Sequence, residues 1–349
     1  MELGGLIFLS SGLYMGWSLG ANDAANIFGT AVGTRMVQFK TAAVISVIFI
    51  TIGAVISGGG TAHGLGALGA VNALPGSFTV SFAAAATVMS MTRMGLPVST
   101  TQAIVGAIVG WNLFSGHPTN MEQLTTIMTT WVTGPILGAM FGFGLFFLVR
   151  FLLSRVSLHM IRLDRYTRNA LLLAGAFGAY SLGANNMANV VGVFLDSSPF
   201  VDISVWGFTF TGAQQLFMLG GLAAGLGVAT YSKRVMMTVG SNLFKLSPVT
   251  AFIVILSTAL VLFLFASRGL ADAMTSVGLP AFPLVPVSQS QAAVGSIIGV
   301  GLAKGGRNLN YKLLVNIGLG WIATPTSAAL VAYVGLFIMQ NVFMQQVFI

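Results

Sequence analysis

The sequence predicts an all-α polytopic membrane protein made of two inverted-topology repeats of about five membrane crossings each, with broken helices and helical hairpins. Three observations predict it. Hydrophobic residues are 56% and charged residues 6% of the 349, with a mean hydropathy of +0.91, well outside the range of a soluble domain. The apolar stretches fall into two sets of five. Three polar motifs each occur twice, in the same order.

Taken in order, the apolar stretches run over 3–32, 41–59, 78–92, 97–115 and 123–149, then 169–195, 205–231, 248–267, 283–302 and 313–341. Clusters of Gly, Pro, Asn and Ser interrupt several of them, which predicts broken helices at membrane depth, where a cavity or neighbouring protein must satisfy the backbone. Residues 1–150 form the first repeat, 151–168 a basic connector read as a cytoplasmic loop, and 169–349 the second repeat, all within one integral membrane domain. The start, Met1-Glu2-Leu3-Gly4, lacks the basic region and cleavage site of a signal peptide, so the first stretch is expected to stay as a span.

Charge orients the stretches. Arg35, Lys40 and Arg93 follow the first and third, and Arg150, Arg155, Arg162, Arg165 and Arg168 crowd the connector, whereas the loops bearing His63 and Glu122 have no lysine or arginine. By the positive-inside rule the first half begins out-to-in. Asp196 and Asp202 then mark an outer loop, Lys233, Arg234, Lys245, Lys304, Arg307 and Lys312 mark the inside, and Arg268 beside Asp272 is a mild exception outside. The second half therefore begins in-to-out, the mirror of the first.

The motif pairs support the same division. Ser18-Leu19-Gly20-Ala21-Asn22-Asp23-Ala24-Ala25-Asn26 recurs as Ser181-Leu182-Gly183-Ala184-Asn185-Asn186-Met187-Ala188-Asn189. Pro97-Val98-Ser99-Thr100-Thr101-Gln102 recurs as Pro286-Val287-Ser288-Gln289-Ser290-Gln291, and Trp131-Val132-Thr133-Gly134-Pro135 as Trp321-Ile322-Ala323-Thr324-Pro325. The second half is longer between its first and second motifs, which places an added loop or helix within 196–282.

Inverted repeats with paired helix breaks are the pattern of secondary transporters, which bind substrate and coupling ions near the midplane. A helix restarting after Pro97 or Pro286 offers unpaired N–H groups and a positive dipole end. The hydroxyls of Ser99, Thr100, Thr101, Ser288 and Ser290 and the amides of Gln102, Gln289 and Gln291 surround those ends, a setting for a small anion. The first motif pair suits a cation. Asp23 with the carbonyl oxygens of Asn22, Asn26, Asn185, Asn186 and Asn189 offers hard oxygen ligands for Na⁺, or Asp23 alone carries a proton. An intramembrane carboxylate is costly and is read as functional. Polar side chains in membrane helices also serve only to join neighbouring helices, and three pairs in an inverted frame weigh against that for these motifs.

Other classes fit poorly. The net charge of +8 is read as topology marks, so no nucleic-acid partner is expected. With no cysteine there are no disulfides, thiolate metal sites or thiol nucleophiles. His63, His117 and His159 share no metal-ligand spacing and fall in expected loops, and no acid–base dyad is evident, so no enzyme activity and no cofactor are expected. Trp131 and Trp321 read as packing or interface anchors, Pro135 and Pro325 as kinks, and Gly58-Gly59-Gly60 as a flexible surface loop.

On these residues the chain resembles the inorganic phosphate transporter family known as PiT, over nearly its whole length. The family's repeated Gly-Ala-Asn-Asp-x-Ala-Asn signature matches 20–26 well and 183–189 with one change, and its Pro-x-Ser-x-Thr-His segments match 97–102 and 286–291 in part. The resemblance implies an inverted-repeat fold and a homodimer in the cell (plasma or inner) membrane. It also implies phosphate at Ser99, Thr100, Thr101, Ser288 and Ser290, and Na⁺ or H⁺ coupling at Asn22, Asp23, Asn26, Asn185 and Asn189. Asn186 replaces the second aspartate, Gln102 and Gln291 the histidines, and Gln289 interrupts a hydroxyl pair. These changes favour fewer coupling cations or proton coupling. They also keep sulfate, the substrate of some relatives in the wider family, as the alternative, because sulfate prefers a purely donating pocket. A passive anion channel is a further alternative, using the same helix ends without coupling.

Overall fold

The computed structural model describes residues 3–69, 71–94, 98–156, 159–205, 207–233, 235–236, 246–306 and 311–349. Pro97 of the hairpin motif and the charges Glu2, Arg234, Lys245 and Arg307 lie outside the described residues. The first half forms α1 (Leu3–Gly33), α2 (Phe39–Ser57), α3 (Gly59–Gly66), α4 (Leu74–Arg93), α5 (Thr100–Ser115) and α6 (Met121–Ser154). The second forms α7 (Met160–Asn186), α8 (Ala188–Val191), a hairpin of β1 (Ile203–Val205) and β2 (Phe208–Phe210), then α9 (Gly212–Thr230), α10 (Pro248–Leu264), α11 (Arg268–Ser276), α12 (Gln289–Ala303) and α13 (Tyr311–Asn341).

The ten apolar stretches do not become ten full spans. Among the described residues five helices, α2, α4, α6, α9 and α13, are long and apolar enough to cross a membrane, and α10 with α11, bent by 69°, counts as a sixth if the pair is one span. Helices α5 and α12 have 16 and 15 residues, about 22–24 Å at 1.5 Å per residue, against a hydrocarbon core of about 30 Å. Both are buried along nearly their whole length. They are half-spans packed inside protein.

Why they start where they do is local. Ser99 and Ser288 take extended backbone and accept the N–H of Gln102 and Gln291 at 3.1 and 3.2 Å, the geometry of an N-cap. Ahead of α12, residues 279–288 carry Pro280, Pro283 and Pro286 and stay non-helical, since proline lacks the N–H a helix needs and restrains the residue before it.

Helices of the two halves pack crosswise in matching pairs: α1 on α9 and α7 on α2, α5 on α13 and α12 on α6. Glycines make the contacts close. A Cβ on Gly20 would meet the Ala224 carbonyl, and one on the equivalent Gly183 the Ile50 carbonyl. Gly106 lies likewise on Pro325, and Gly295 on Pro135. The faces of α6 and α13 turned away from these contacts expose Ile136, Met140, Phe147, Leu330 and Phe337, a surface suited to lipid tails.

Several expectations are corrected. The connector 151–168 is mostly helix, because α6 runs to Ser154 and α7 starts at Met160. Gly58-Gly59-Gly60 is no surface loop: Gly58 and Gly60 are buried where α2 gives way to α3. His63 sits in α3 rather than a loop. The stretch 205–231 opens with the β-hairpin, not a helix. The first polar cluster does not break its helix, since α1 is continuous from Leu3 to Gly33, whereas α7 ends at Asn186 and restarts after Met187.

The two ends differ in charge. One end gathers the loops tied by Asn120 N–H to Leu68 O (3.4 Å) and by Gln123 Nε2 to Gly64 O (2.6 Å), and carries Glu122, Asp196, Asp202 and Asp272. The other holds Arg35, Lys40, Arg93, Arg150 and Lys233, the last over the Phe39 ring at 5.9 Å.

The crossings can be tested. Gly295→Ala is expected to cost about 1–3 kcal/mol, the range for overpacking, and to lower the thermal unfolding midpoint in detergent. Gly144→Ala, on the exposed face of α6 with open space around it, is expected to leave the midpoint unchanged or raised. Equal effects would contradict the close crossing.

Candidate functional site

The caps Ser99 and Ser288 bring the first turns of α5 and α12 tip to tip. Ser290 Oγ donates to Val98 O (2.8 Å), and Thr101 Oγ1 donates to Val287 O (3.4 Å). Each hairpin thus supplies a hydroxyl to the carbonyl that the other exposes where its chain unwinds. Ser288 and Ser290 share a further contact of 3.3 Å. The N–H groups of Thr100, Thr101, Gln289 and Ser290 belong to first turns and have no intrahelical acceptor. Two positive helix ends therefore face one small volume.

The repeated polar clusters close around these tips. Thr100 Oγ1 donates to Asp23 Oδ2 at 2.5 Å. Asn189 Nδ2 donates to Thr101 Oγ1 at 2.9 Å, so the cluster of the second half reaches the hairpin of the first. Asn185 is a brace: its Oδ1 accepts from Val287 N (2.7 Å) and its Nδ2 faces Val285 O (3.2 Å) and Leu262 O (3.4 Å). Asn22 instead donates to Thr92 Oγ1 at 2.6 Å, a partner that no sequence motif marked. All fourteen residues singled out from the sequence are buried, with Asn26 the most exposed at 6%.

What remains unpaired is mostly oxygen. Among the described residues, Asn22 Oδ1, Asp23 Oδ1, Asn186 Oδ1, Asn189 Oδ1, Gln102 Oε1, Gln289 Oε1 and Gln291 Oε1 are buried without a hydrogen-bond partner, as are Asn26 Nδ2 and Asn186 Nδ2. Buried polar atoms left unpaired are costly and rare, and here they collect in one place. A cation is served by the oxygens, and an anion by the first-turn N–H groups. The described residues hold no group of three His, Asp or Glu side chains able to take a metal, so any cation here would rest on amide oxygens and the single carboxylate.

The halves are not equivalent. Asp23 has Thr100, whereas Asn186 at the matching position has no partner and faces a half in which Gln289 replaces the hydroxyl. Trp131 and Trp321 are half-buried, each with an unpartnered indole N–H. The serines that open the two clusters, Ser18 and Ser181, are likewise buried with unpaired hydroxyls. Their place beside the asparagines in both motifs was the only signal for them in the sequence.

The chain is similar to known proteins over most of its length. A family model described as the phosphate transporter family matches residues 19–332. The protein named "Putative phosphate permease TK2061" of Thermococcus kodakarensis is 26% identical over 402 residues, covering 94% of this chain and 95% of its own. "Sulfate permease CysP" of Bacillus subtilis is 28% identical over 342 residues, covering 95% of this chain and 86% of its own. The solved structure "The sodium-dependent phosphate transporter" superposes with a TM-score of 0.77 at 23% identity, over 96% of this chain and 98% of that one, a likeness of fold.

The brace at Asn185 yields a stability prediction. Asn185→Ala leaves the buried Val287 N–H without its acceptor and is expected to cost about 1–3 kcal/mol, read as a lower unfolding midpoint. Thr101→Val and Asn189→Ala, combined in a double-mutant cycle, are expected to couple by about 0.5–3 kcal/mol; additive effects would show that this hydrogen bond does not form.

Proposed function

The chain belongs to the phosphate transporter family and is a multi-pass membrane protein, not an enzyme; from that premise we propose that it imports an inorganic oxyanion, phosphate first, by symport with Na⁺ or H⁺ through alternating access. Its two halves act as inverted repeats in the cell membrane, with the basic end toward the cytoplasm. The observation that carries the reading is the meeting of the α5 and α12 tips, cross-braced from Ser290 to Val98 and from Thr101 to Val287. The anion lies between those tips, held by their N–H groups, with Ser99, Thr100, Thr101, Gln102, Ser288, Gln289, Ser290 and Gln291 around it. The cation lies at Asp23 with oxygens of Asn22, Asn26, Asn186 and Asn189, while Asn185 steadies the second hairpin. A cation beside an anion lowers the desolvation cost of both, which is the physical basis of coupling.

The free Oε1 atoms of Gln102, Gln289 and Gln291 support phosphate, because hydrogen phosphate has protons to donate and sulfate has none. Sulfate is the second reading, supported by the absence of an ionisable side chain in either hairpin segment, 98–102 or 287–291.

Uptake of labelled phosphate and labelled sulfate into proteoliposomes, with Na⁺ and pH gradients imposed separately, tests substrate and coupling together. Phosphate is expected to accumulate against its gradient, and Asp23→Asn to reduce accumulation to the level of empty liposomes. If neither anion moves under either gradient, the reading fails. Sulfate accumulating alone would reassign the substrate.

A further inference from the structure

At the acidic end lies a polar cavity, apart from the hairpin tips. It has a volume of about 260 Å³ and is lined by Ser57, Gly59, Gly60, Tyr180, Ser267 and Arg268, with Ile56, Phe263 and Ala266 on its apolar side. We propose that this cavity is a docking site for a small oxyanion of the phosphate or sulfate type, on the approach to the transport site. Its purpose rests on the transport reading; the binding itself does not.

The first argument is charge. The described part of the acidic end exposes Glu122, Asp196, Asp202 and Asp272, which together repel an approaching anion. Arg268 is the lone lysine or arginine among the described residues of that end, and it lines the cavity. Its side chain donates through Nη2 to Gly59 O at 3.1 Å. Among the described residues no carboxylate pairs with it. One bond to a neutral carbonyl leaves most of its five donors and its full charge for an anion.

The second argument is the set of neutral donors. Tyr180 OH and Ser57 Oγ lie 2.7 Å apart on α7 and α2. Whichever of them donates to the other, one hydroxyl hydrogen remains for a ligand. The first turn of α11, capped by Ser267 Oγ on Leu270 N at 3.2 Å, opens at Arg268 on the same wall. A guanidinium and a helix start on α11 and a hydroxyl pair on α2 and α7 thus converge on a space large enough for one tetrahedral anion and several waters at about 30 Å³ each.

The third argument is position. Thr61 Oγ1 donates to Ala184 O (3.2 Å), and Asn185 Nδ2 faces Leu262 O (3.4 Å). The cavity residues Gly60 and Phe263 are the chain neighbours of Thr61 and Leu262. One layer of residues therefore separates the cavity from Asn185 and Asn186. An anion gathered here lies next to the junction of α2 and α3, whose Gly59 and Gly60 line the cavity.

The test labels the unaltered full-length chain in detergent with phenylglyoxal, which modifies exposed arginines, and reads each arginine by mass spectrometry. Phosphate or sulfate at about ten times its dissociation constant is expected to slow Arg268 modification about tenfold, while chloride at equal ionic strength does not, and Arg150 and Arg155 react unchanged. A separate arm replaces the free anion with anionic phospholipid in mixed micelles, so that a headgroup can be told from a free ion. Modification of Arg268 at the same rate with and without phosphate and sulfate overturns the proposal, as does protection by phospholipid alone. In proteoliposomes, Arg268→Gln is expected to raise KM for the anion about tenfold with little change in maximal rate, as loss of a group that helps capture the anion and takes no part in the later steps. Protection of Arg268 in a chain that moves no anion would sink the transport reading and leave this site standing.

Discussion

Within a bilayer an unwound stretch of chain must find partners for its carbonyls, because no water is there to take them. The backbone leaves the helix ahead of both α5 and α12, and Val98 O and Val287 O are the groups at risk. Each accepts a hydroxyl from the first turn of the opposite hairpin. This exchange binds the two tips to each other and explains why a hydroxyl residue stands at both 101 and 290, even though the position before it has changed from Thr100 to Gln289. The same bonds occupy the hydroxyl hydrogens of those residues. In this arrangement the main-chain N–H groups, rather than the side chains, are the donors most open to an anion.

The exchange requires the hairpins to be held at one depth, and the helix crossings do that. Gly106 on Pro325 and Gly295 on Pro135 set backbone against backbone, so a shift of either half-span would open a gap or force a clash in a close-packed interior. Pro135 and Pro325, expected only as kinks, are also the surfaces on which the hairpin helices rest. Gly20 on Ala224 and Gly183 on Ile50 fix the polar clusters in the same way. Small residues where helices touch and polar residues where they meet the cavity are a division of labour that membrane helices use widely.

Much of this was legible because a membrane makes helices long and apolar. The stretch 3–32 became α1 almost residue for residue, two of the motif pairs marked the hairpin tips and the clusters around them, and the third marked the helices on which the hairpins rest. What was not legible depends on contacts between distant residues. Asn22 and Asn185 occupy the same place in the same motif, yet one bonds Thr92 and the other holds Val285 and Val287. Glycine's poor helix propensity pointed to a loop at 58–60, but close packing against neighbouring elements made it a buried junction. The run Ile203–Phe210 is apolar enough to pass for the start of a span, and only its turn and pairing make it a hairpin. Periodicity also could not tell that α1 would stay whole through its polar cluster while α7 would not.

That last difference gives the asymmetry of the site its physical form. In the first half the carboxylate sits on an unbroken helix and grips Thr100, the residue that opens α5. Neutralising or coordinating Asp23 therefore acts directly on the start of one hairpin helix. In the second half the chain breaks beside Asn186, whose amide has no partner, and Gln289 offers no hydroxyl to match Thr100. An amide bears no net charge, so a cation arriving there gains far less than at a carboxylate. In the proposed symport, the charge-bearing link between ion binding and hairpin position is thus the Asp23 and Thr100 pair, with the neutral Asn189 to Thr101 bond beside it. The second half then serves mainly as the frame: Asn185 fixes the approach to α12, and Asn189 fastens Thr101 from across the repeat boundary. In that proposal a charge on the first half and braces on the second couple cation to anion without a second aspartate.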